Sequence, residues 1–304
     1  MSEPIDPAAV LGAAPSLTGP ELVANADIPR PLADALWQAL GFPYLGDQTR
    51  AFTSADAAAL QACRALLERG IVDERGLIRT ARQLGRAMAG LAEDQVATTL
   101  EAVARGVLDD LTSLLEPMEQ LQRHVWRRHL LATLERTGAH PEATAMAIAV
   151  GFTDLVSFTA RSRELSPAAL DDLLDAFEQH TQAEVVEAGG RVVKTLGDEV
   201  MWAVDDPGAA AMIALAAASD TVRTGVAYGP TLARGGDHFG PTVNVAARLT
   251  GLARPGTVLI DLGMDGQLAG DRRFRLRRLR PTSVRGYEHL RATVLRAPAP
   301  NGDG

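Results

Sequence analysis

The sequence predicts an α+β protein in two parts, a helical first half followed by a half in which strands and helices alternate. Three observations lead there. No strand-like alternation occurs before residue 146. Beyond it, apolar strands, hairpin turns and helix starts follow one another. The length of 304 residues suits two domains at roughly 100 to 200 residues each. With 46% hydrophobic and 22% charged residues the chain can fill a core, which excludes a fibrous or disordered protein.

Residues 1 to about 30 are rich in Pro, Ala and Gly without a clear period and read as an irregular leader. Thr53, with Asp56 three residues on, is a helix N-cap, and Leu60, Cys63, Leu66 and Leu67 recur at helical spacing until Gly70. Residues 77 to 105 repeat that spacing through Ile78, Leu84, Met88, Leu91, Val96, Leu100 and Val103, as two helices broken near Gly90. A connecting helix is predicted from Leu111 to Arg136, with Pro117 as a candidate break and Thr137–Thr144 as its end. The implied domains are 1–110 (helical), 111–140 (linker helix) and 141–304 (α+β).

The second half opens with a buried strand, Met146–Phe152. Ser166-Pro167 starts a helix whose Leu170, Leu173, Leu174, Phe177 and Val185 share a face, and Gly189-Gly190 stops it. Arg191–Thr195 and Glu199–Val204 form a hairpin about Leu196-Gly197. An Ala-rich helix (Pro207–Ser219), a strand (Val222–Tyr228), a helix (Pro241–Ala253), a strand (Thr257–Ile260) and two tail strands complete a βααββαβ-like order.

Charge and composition narrow the partners. A net charge of -8 argues against nucleic acid, which needs a basic surface. No apolar run reaches the roughly 18 residues of a membrane span. The first residues lack the pattern of a secretory signal, and Cys63, the one cysteine, can form no internal disulfide, so a reducing cytoplasm is the expected compartment. The run Arg272–Arg280 alternates Arg with Phe274 and Leu276 and reads as a solvated strand face. Of the 30 basic residues 29 are arginine; the one lysine is Lys194.

Chemistry concentrates in three places. Asp154 ends a strand just before a helix start, where a carboxylate can hold Mg²⁺ and the free N–H groups of Leu155, Val156, Ser157, Phe158 and Thr159 can bind phosphates. Alone, such an aspartate is more often an N-cap. Asp198 sits at the hairpin tip, where Gly-Asp is ordinary turn chemistry, yet two carboxylates on neighbouring strand ends can bridge two metals. Asn244 and Arg248, four apart on a helix, project from one face, as on many surface helices.

Together, FTDLVSFT, GGRVVKTLGDEVMWAV and GGDHFGPTVNVAARL closely resemble the three signature regions of class III adenylate cyclases, over residues from about 146 to 298. The resemblance implies a ferredoxin-like, palm-type catalytic domain that converts ATP to cyclic AMP and pyrophosphate. It implies that Asp154 and Asp198 bind two Mg²⁺ or Mn²⁺ ions, that Arg248 stabilises charge on the α-phosphoryl group, and that Asn244 orients the ribose. Lys194 and Asp237 match the pair that reads the purine; an ammonium donor and a carboxylate acceptor complement adenine N1 and N6, and guanine reverses both. The family's catalytic unit is a head-to-tail dimer, and a chain with all six residues can form a homodimer with two equivalent sites.

Two features depart from or mimic other patterns. Gly235–Phe239 resembles the GGDEF signature of diguanylate cyclases, but His238 replaces its Glu. Only Asp220 and Thr221 separate the Ala-rich helix from the next strand, a short connection for the family.

The helical half, with LWQALGFPYLGD, AFTSADAAAL and QRHVWRRHL, is similar to the autoinhibitory N-terminal domain of mycobacterial pH-sensing adenylate cyclases. That implies regulation, with a small-molecule or lipid ligand in the apolar bundle as one partner to expect. His124 and His129 lie among Arg123, Arg127 and Arg128 in the connecting helix, and histidine changes charge in the mildly acidic range. They are the candidate pH-sensing residues. The alternative reading is a catalytically silent nucleotide-binding regulator or scaffold.

Overall fold

The computed structural model describes residues 6–108, 111–139 and 147–298. The chain divides into two compact units, Met1–Pro141 and Glu142–Gly304. Met146 and residues 140–144 of the expected helix-ending segment lie outside the described residues.

The first unit corrects the expectation of an irregular leader. α1 (Pro7–Leu11), α2 (Gly19–Ala26) and α3 (Arg30–Ala39) occupy it, and Leu22, Ala26, Ile28, Leu32, Ala33 and Leu36 are buried. The prolines that suggested irregularity, Pro7, Pro20 and Pro31, each fall in the first turn of a helix, where a missing N–H breaks no intrahelical bond. Thr18 and Glu21 close a reciprocal capping box on α2. α4 (Ser54–Glu68) starts at the Thr53–Asp56 box as expected, and Gly70 takes a left-handed φ of 64° after its end.

α5 (Glu74–Ala104) is one helix of 31 residues, not two. Gly90 lies inside it with open space around it, and a single glycine costs only about 1 kcal/mol in a helix interior. The glycine that matters is Gly85, where a Cβ would stand 2.3 Å from the carbonyl oxygen of Leu40 beyond α3. A 3₁₀ turn, Leu111–Leu114, leads into α6 (Leu115–Ala139); Pro117 falls in its first turn and does not break it. Six large apolar residues of α6 are exposed: Leu121, Val125, Trp126, Leu130, Leu131 and Leu134.

The second unit follows the predicted grammar. Its elements are β1 (Ala147–Leu155), α7 (Phe158–Arg161), α8 (Pro167–Glu187), β2 (Arg191–Leu196), β3 (Glu199–Val204), α9 (Pro207–Ala216) and β4 (Val222–Pro230). Then come β5 (Leu232–Arg234), β6 (Asp237–Phe239), α10 (Pro241–Leu252), β7 (Val258–Ile260) and α11 (Leu262–Gln267). The tail holds β8 (Arg275–Arg278), β9 (Thr282–Val284), β10 (Tyr287–Leu290) and β11 (Thr293–Arg296), four strands where two were expected. Runs of three or four residues are too short for alternation to declare them.

Among the described residues, seven strands form one sheet in the order β2-β3-β1-β4-β7-β11-β8, with β5-β6 and β9-β10 as separate pairs. Only the β4–β7 ladder is parallel. Side chains alternate across the sheet: Val200, Trp202 and Val204 join a core with Phe177, Val185, Ile213 and Met264, while Met201 and Ala203 face the opposite side with Phe152 and Ala246 of α10. Gly151 lies opposite the fully buried Trp202, whose indole occupies the space a Cβ would need, at 2.1 Å. The Arg-rich run behaves as expected, with Phe274 buried and Arg275 and Arg277 exposed.

Candidate active site

Asp154 ends the central strand β1, and its register decides its neighbours. Glu199 of β3 lies opposite it on one side and Arg223 of β4 on the other, so the three side chains share one face of the sheet. Arg223 donates to Asp154 Oδ2 from Nε at 2.6 Å and pairs with the same oxygen through Nη2 at 2.5 Å. Asp154 is 7% exposed, and burial raises its pKa against the opposing pull of Arg223.

Asp198 stands in the β2–β3 turn, after Gly197 at φ 67°. Its carbonyl accepts from the Leu155 N–H at 3.0 Å, tying the turn to the end of β1. Burial, together with the charges of Asp154 and Asp198, pushes Glu199 up to about 7. Three carboxylates crowd one strand end against a single arginine.

No three of His, Cys, Asp and Glu form a ready metal cage among the described residues. The donor set still suits a hard divalent cation. Two carboxylates suffice for an ion that keeps waters and takes substrate phosphates as its other ligands, and the charges of Asp154 and Asp198, which add to burial in raising Glu199, are negative charge that a cation relieves.

The backbone after Asp154 divides the five positions expected to face phosphates. The Val156 N–H donates to the Thr221 carbonyl at 2.8 Å, so Leu155 and Val156 both spend their N–H groups within the protein. Ser157 turns the chain at φ 61°, and Phe158 and Thr159 open α7, a single turn of four residues.

Lys194 and Asp237 meet directly: Nζ donates to Oδ2 at 2.5 Å. Asn244 and Arg248 project from the exposed face of α10, while Ala246, Leu249 and Thr250 bury the other. α10 lies hard against β4 because Gly225 has no Cβ; one would stand 2.2 Å from the Thr250 backbone nitrogen and 2.6 Å from the Ala246 carbonyl oxygen. Arg223 and Arg191 are given no role by the sequence, because only strand register places them beside the candidate residues; Glu199 and His238 adjoin Asp198 and Asp237 in the chain, but only the fold shows what their side chains meet.

In the first unit, His124 and His129 are exposed on α6. A cavity of about 350 Å³ there is lined by Leu22, Leu36, Trp37, Leu60, Cys63 and Leu77, among others. No described helix is long and apolar enough to cross a membrane.

No protein-family model matches the chain. Whole-protein relatives do. An adenylate cyclase of Streptomyces coelicolor is 38% identical over 281 residues, 85% of this chain and 73% of that protein. The chain belongs to the class III adenylate cyclase family. An adenylate cyclase of Glutamicibacter nicotianae is 33% identical over 313 residues, 91% of this chain and 78% of its own length. A pH-sensitive adenylate cyclase of Mycobacterium tuberculosis is 30% identical over 232 residues, covering 68% of this chain and 58% of that one. Alignments that span 85% and 91% of the cyclase necessarily include much of both units.

Proposed function

We propose that this cyclase converts ATP to 3′,5′-cyclic AMP and pyrophosphate in a head-to-tail homodimer with two divalent ions, Mg²⁺ or Mn²⁺, at each site. The Lys194–Asp237 pair carries the choice of ATP: a donor and an acceptor held side by side match the N1 and N6 edge of adenine. Asp154 and Asp198 would hold the ions. Bound there, divalent cations supply Lewis acidity at the α-phosphoryl group and lower the pKa of the ribose 3′-hydroxyl.

The chain's own groups do the positioning. Arg223 engages only Oδ2 of Asp154, leaving Oδ1 for a ligand. From the partner protomer, Asn244 would orient the ribose and Arg248 would face the charge that develops at the α-phosphorus. Neither side chain holds a hydrogen bond among the described residues, which supports their being reserved for substrate. The turn at Ser157, Phe158 and Thr159 is the segment we assign to the triphosphate. The exposed apolar residues of α6 support a dimer, since a second copy can cover part of them.

We take residues 1–110 as a regulatory domain, 111–140 as its linker and 141–304 as the catalytic domain, with an apolar ligand of the first unit's cavity as one regulatory input. Protonation of His124 and His129 would add charge beside Arg123, Arg127 and Arg128 and bias α6. Replacing both with Gln is expected to flatten the pH profile of activity; an unchanged profile removes them as sensors. The catalytic reading is tested by incubating the purified chain with Mn²⁺ and ATP or GTP and measuring cyclic nucleotide. Cyclic AMP from ATP, lost in Asp154→Ala, is the expected result.

A further inference from the structure

We propose that Arg191 and His238 are positioning residues: they clamp the β5–β6 hairpin to β2 and so hold Lys194 and Asp237 in the geometry that reads adenine. The proposal rests on the reading of Lys194 and Asp237 as the base-selecting pair.

The hairpin needs such a clamp. It stands outside the seven-stranded sheet, each of its strands has three residues, and its turn, Gly235-Gly236, takes left-handed φ values of 68° and 80°. Two short strands are marginal by themselves. Apolar packing does not fix it either, because Leu232 and Phe239 are exposed.

Two polar rungs join it to β2. Lys194 pairs with Asp237, and the Arg191 guanidinium bonds Nε2 of the buried His238. Residues three apart on a regular strand point to opposite faces. A bulge between Val192 and Lys194 alters the count, so that Arg191 lies opposite Ala203 and Lys194 opposite Met201, both on the same face. Without that extra residue, one of the two rungs would point away from β6.

The imidazole is locked in one tautomer. Guanidinium only donates, so Nε2 must accept, and Nδ1 carries the proton that it gives to Thr231 Oγ1 at 2.9 Å. His238 then anchors its neighbour: Asp237 Oδ1 accepts from the His238 N–H at 2.7 Å, leaving Oδ2 for Lys194. The charged groups around the ring are Arg191 from β2, Asp237 from β6 and Asp205 beyond β3. Burial and then Arg191 hold its pKa below the ordinary histidine value, outweighing the two aspartates. The ring is therefore neutral at neutral pH, and acid removes the acceptor that Arg191 needs.

Steady-state kinetics of the full chain with ATP and with GTP, across pH, test this. Arg191→Gln and His238→Leu should each raise KM for ATP roughly tenfold, the worth of about one hydrogen bond, with kcat changed far less and the preference for ATP over GTP reduced. His238→Gln keeps an acceptor for Arg191 and should stay near wild type at neutral pH. It should also lose the rise in KM expected of the wild type on acidification. A fall in kcat with KM and nucleotide preference unchanged, or no effect at all, overturns the clamp. If His238→Leu or Arg191→Gln fails to fold, an acid rise in KM that persists in His238→Gln overturns it equally. Lys194→Ala separates the two readings. Should it keep full preference for ATP, the base-reading assignment falls and the clamp with it; should it lose preference while the Arg191 and His238 variants keep it, the clamp alone falls.

Discussion

At the scale of single residues, the site is a balance of partly buried charge. Asp154, Asp198 and Glu199 oppose Arg223, and burial, together with the charges of the two aspartates, raises the pKa of Glu199 from 4.5 to about 7. A carboxyl whose folded pKa is raised contributes stability that is complete below its unfolded pKa and lost as pH rises through the folded value. The window here runs from about pH 4.5 to 7. Glu199→Gln should therefore stabilise the metal-free protein at pH 8, by on the order of 1 kcal/mol after allowance for solvent screening, and change little at pH 5. Thermal unfolding at the two pH values reads this directly, and equal effects at both would show that Glu199 is not the titrating group. The lone lysine belongs to this scale too. On the proposed reading, a slim single-point donor at position 194 would fit between Asp237 and a base edge, where a forked guanidinium would not.

At the scale of elements, the placement of Asn244 and Arg248 depends on how closely α10 approaches β4. Gly225 permits that contact, with Thr250 and Ala246 of α10 in the place of its missing side chain. Thr250 also donates through Oγ1 to the Phe152 carbonyl at 3.2 Å, fixing the helix to β1. Gly225→Ala should cost about 1–3 kcal/mol in denaturant unfolding by overpacking, and it should lower activity by displacing Asn244 and Arg248. Gly251, on the same helix with open space around it, is the control: Ala there should leave stability unharmed. The contrast between Gly85 and Gly90 in α5 makes the same point in the first unit, since only Gly85 lies against another segment.

At the scale of the whole molecule, the expected head-to-tail dimer predicts complementation. Asp154→Ala and Arg248→Ala should each be inactive alone. Mixed and allowed to exchange, they form heterodimers in which one of two sites is intact, giving about a quarter of wild-type activity by statistics. Assay of the mixture against each variant alone decides it; a mixture as silent as its parts would mean that each site is built from one chain.

Much of the second unit was legible in the sequence because its signals are local. The Ser166 cap, the Gly189-Gly190 stop and the hairpin about Gly197 each depend on a few adjacent residues, and each is where it was expected, as is the Thr53 cap in the first unit. The helices within the first thirty residues were not legible because Pro, Ala and Gly follow no clear period there and Pro7 and Pro20 stand at helix starts, and the short tail strands had no period to detect. Residue pattern by itself determined the α+β class, and the resemblance of three contiguous motifs to those of class III adenylate cyclases pointed to the family and to the six candidate residues. Only the tertiary structure decided that Arg223 and Glu199 flank Asp154, and that a bulge in β2 aims Arg191 and Lys194 at the same hairpin. The reason is physical: strand register and bulges join residues far apart in the chain, and a one-residue shift exchanges every side chain between faces.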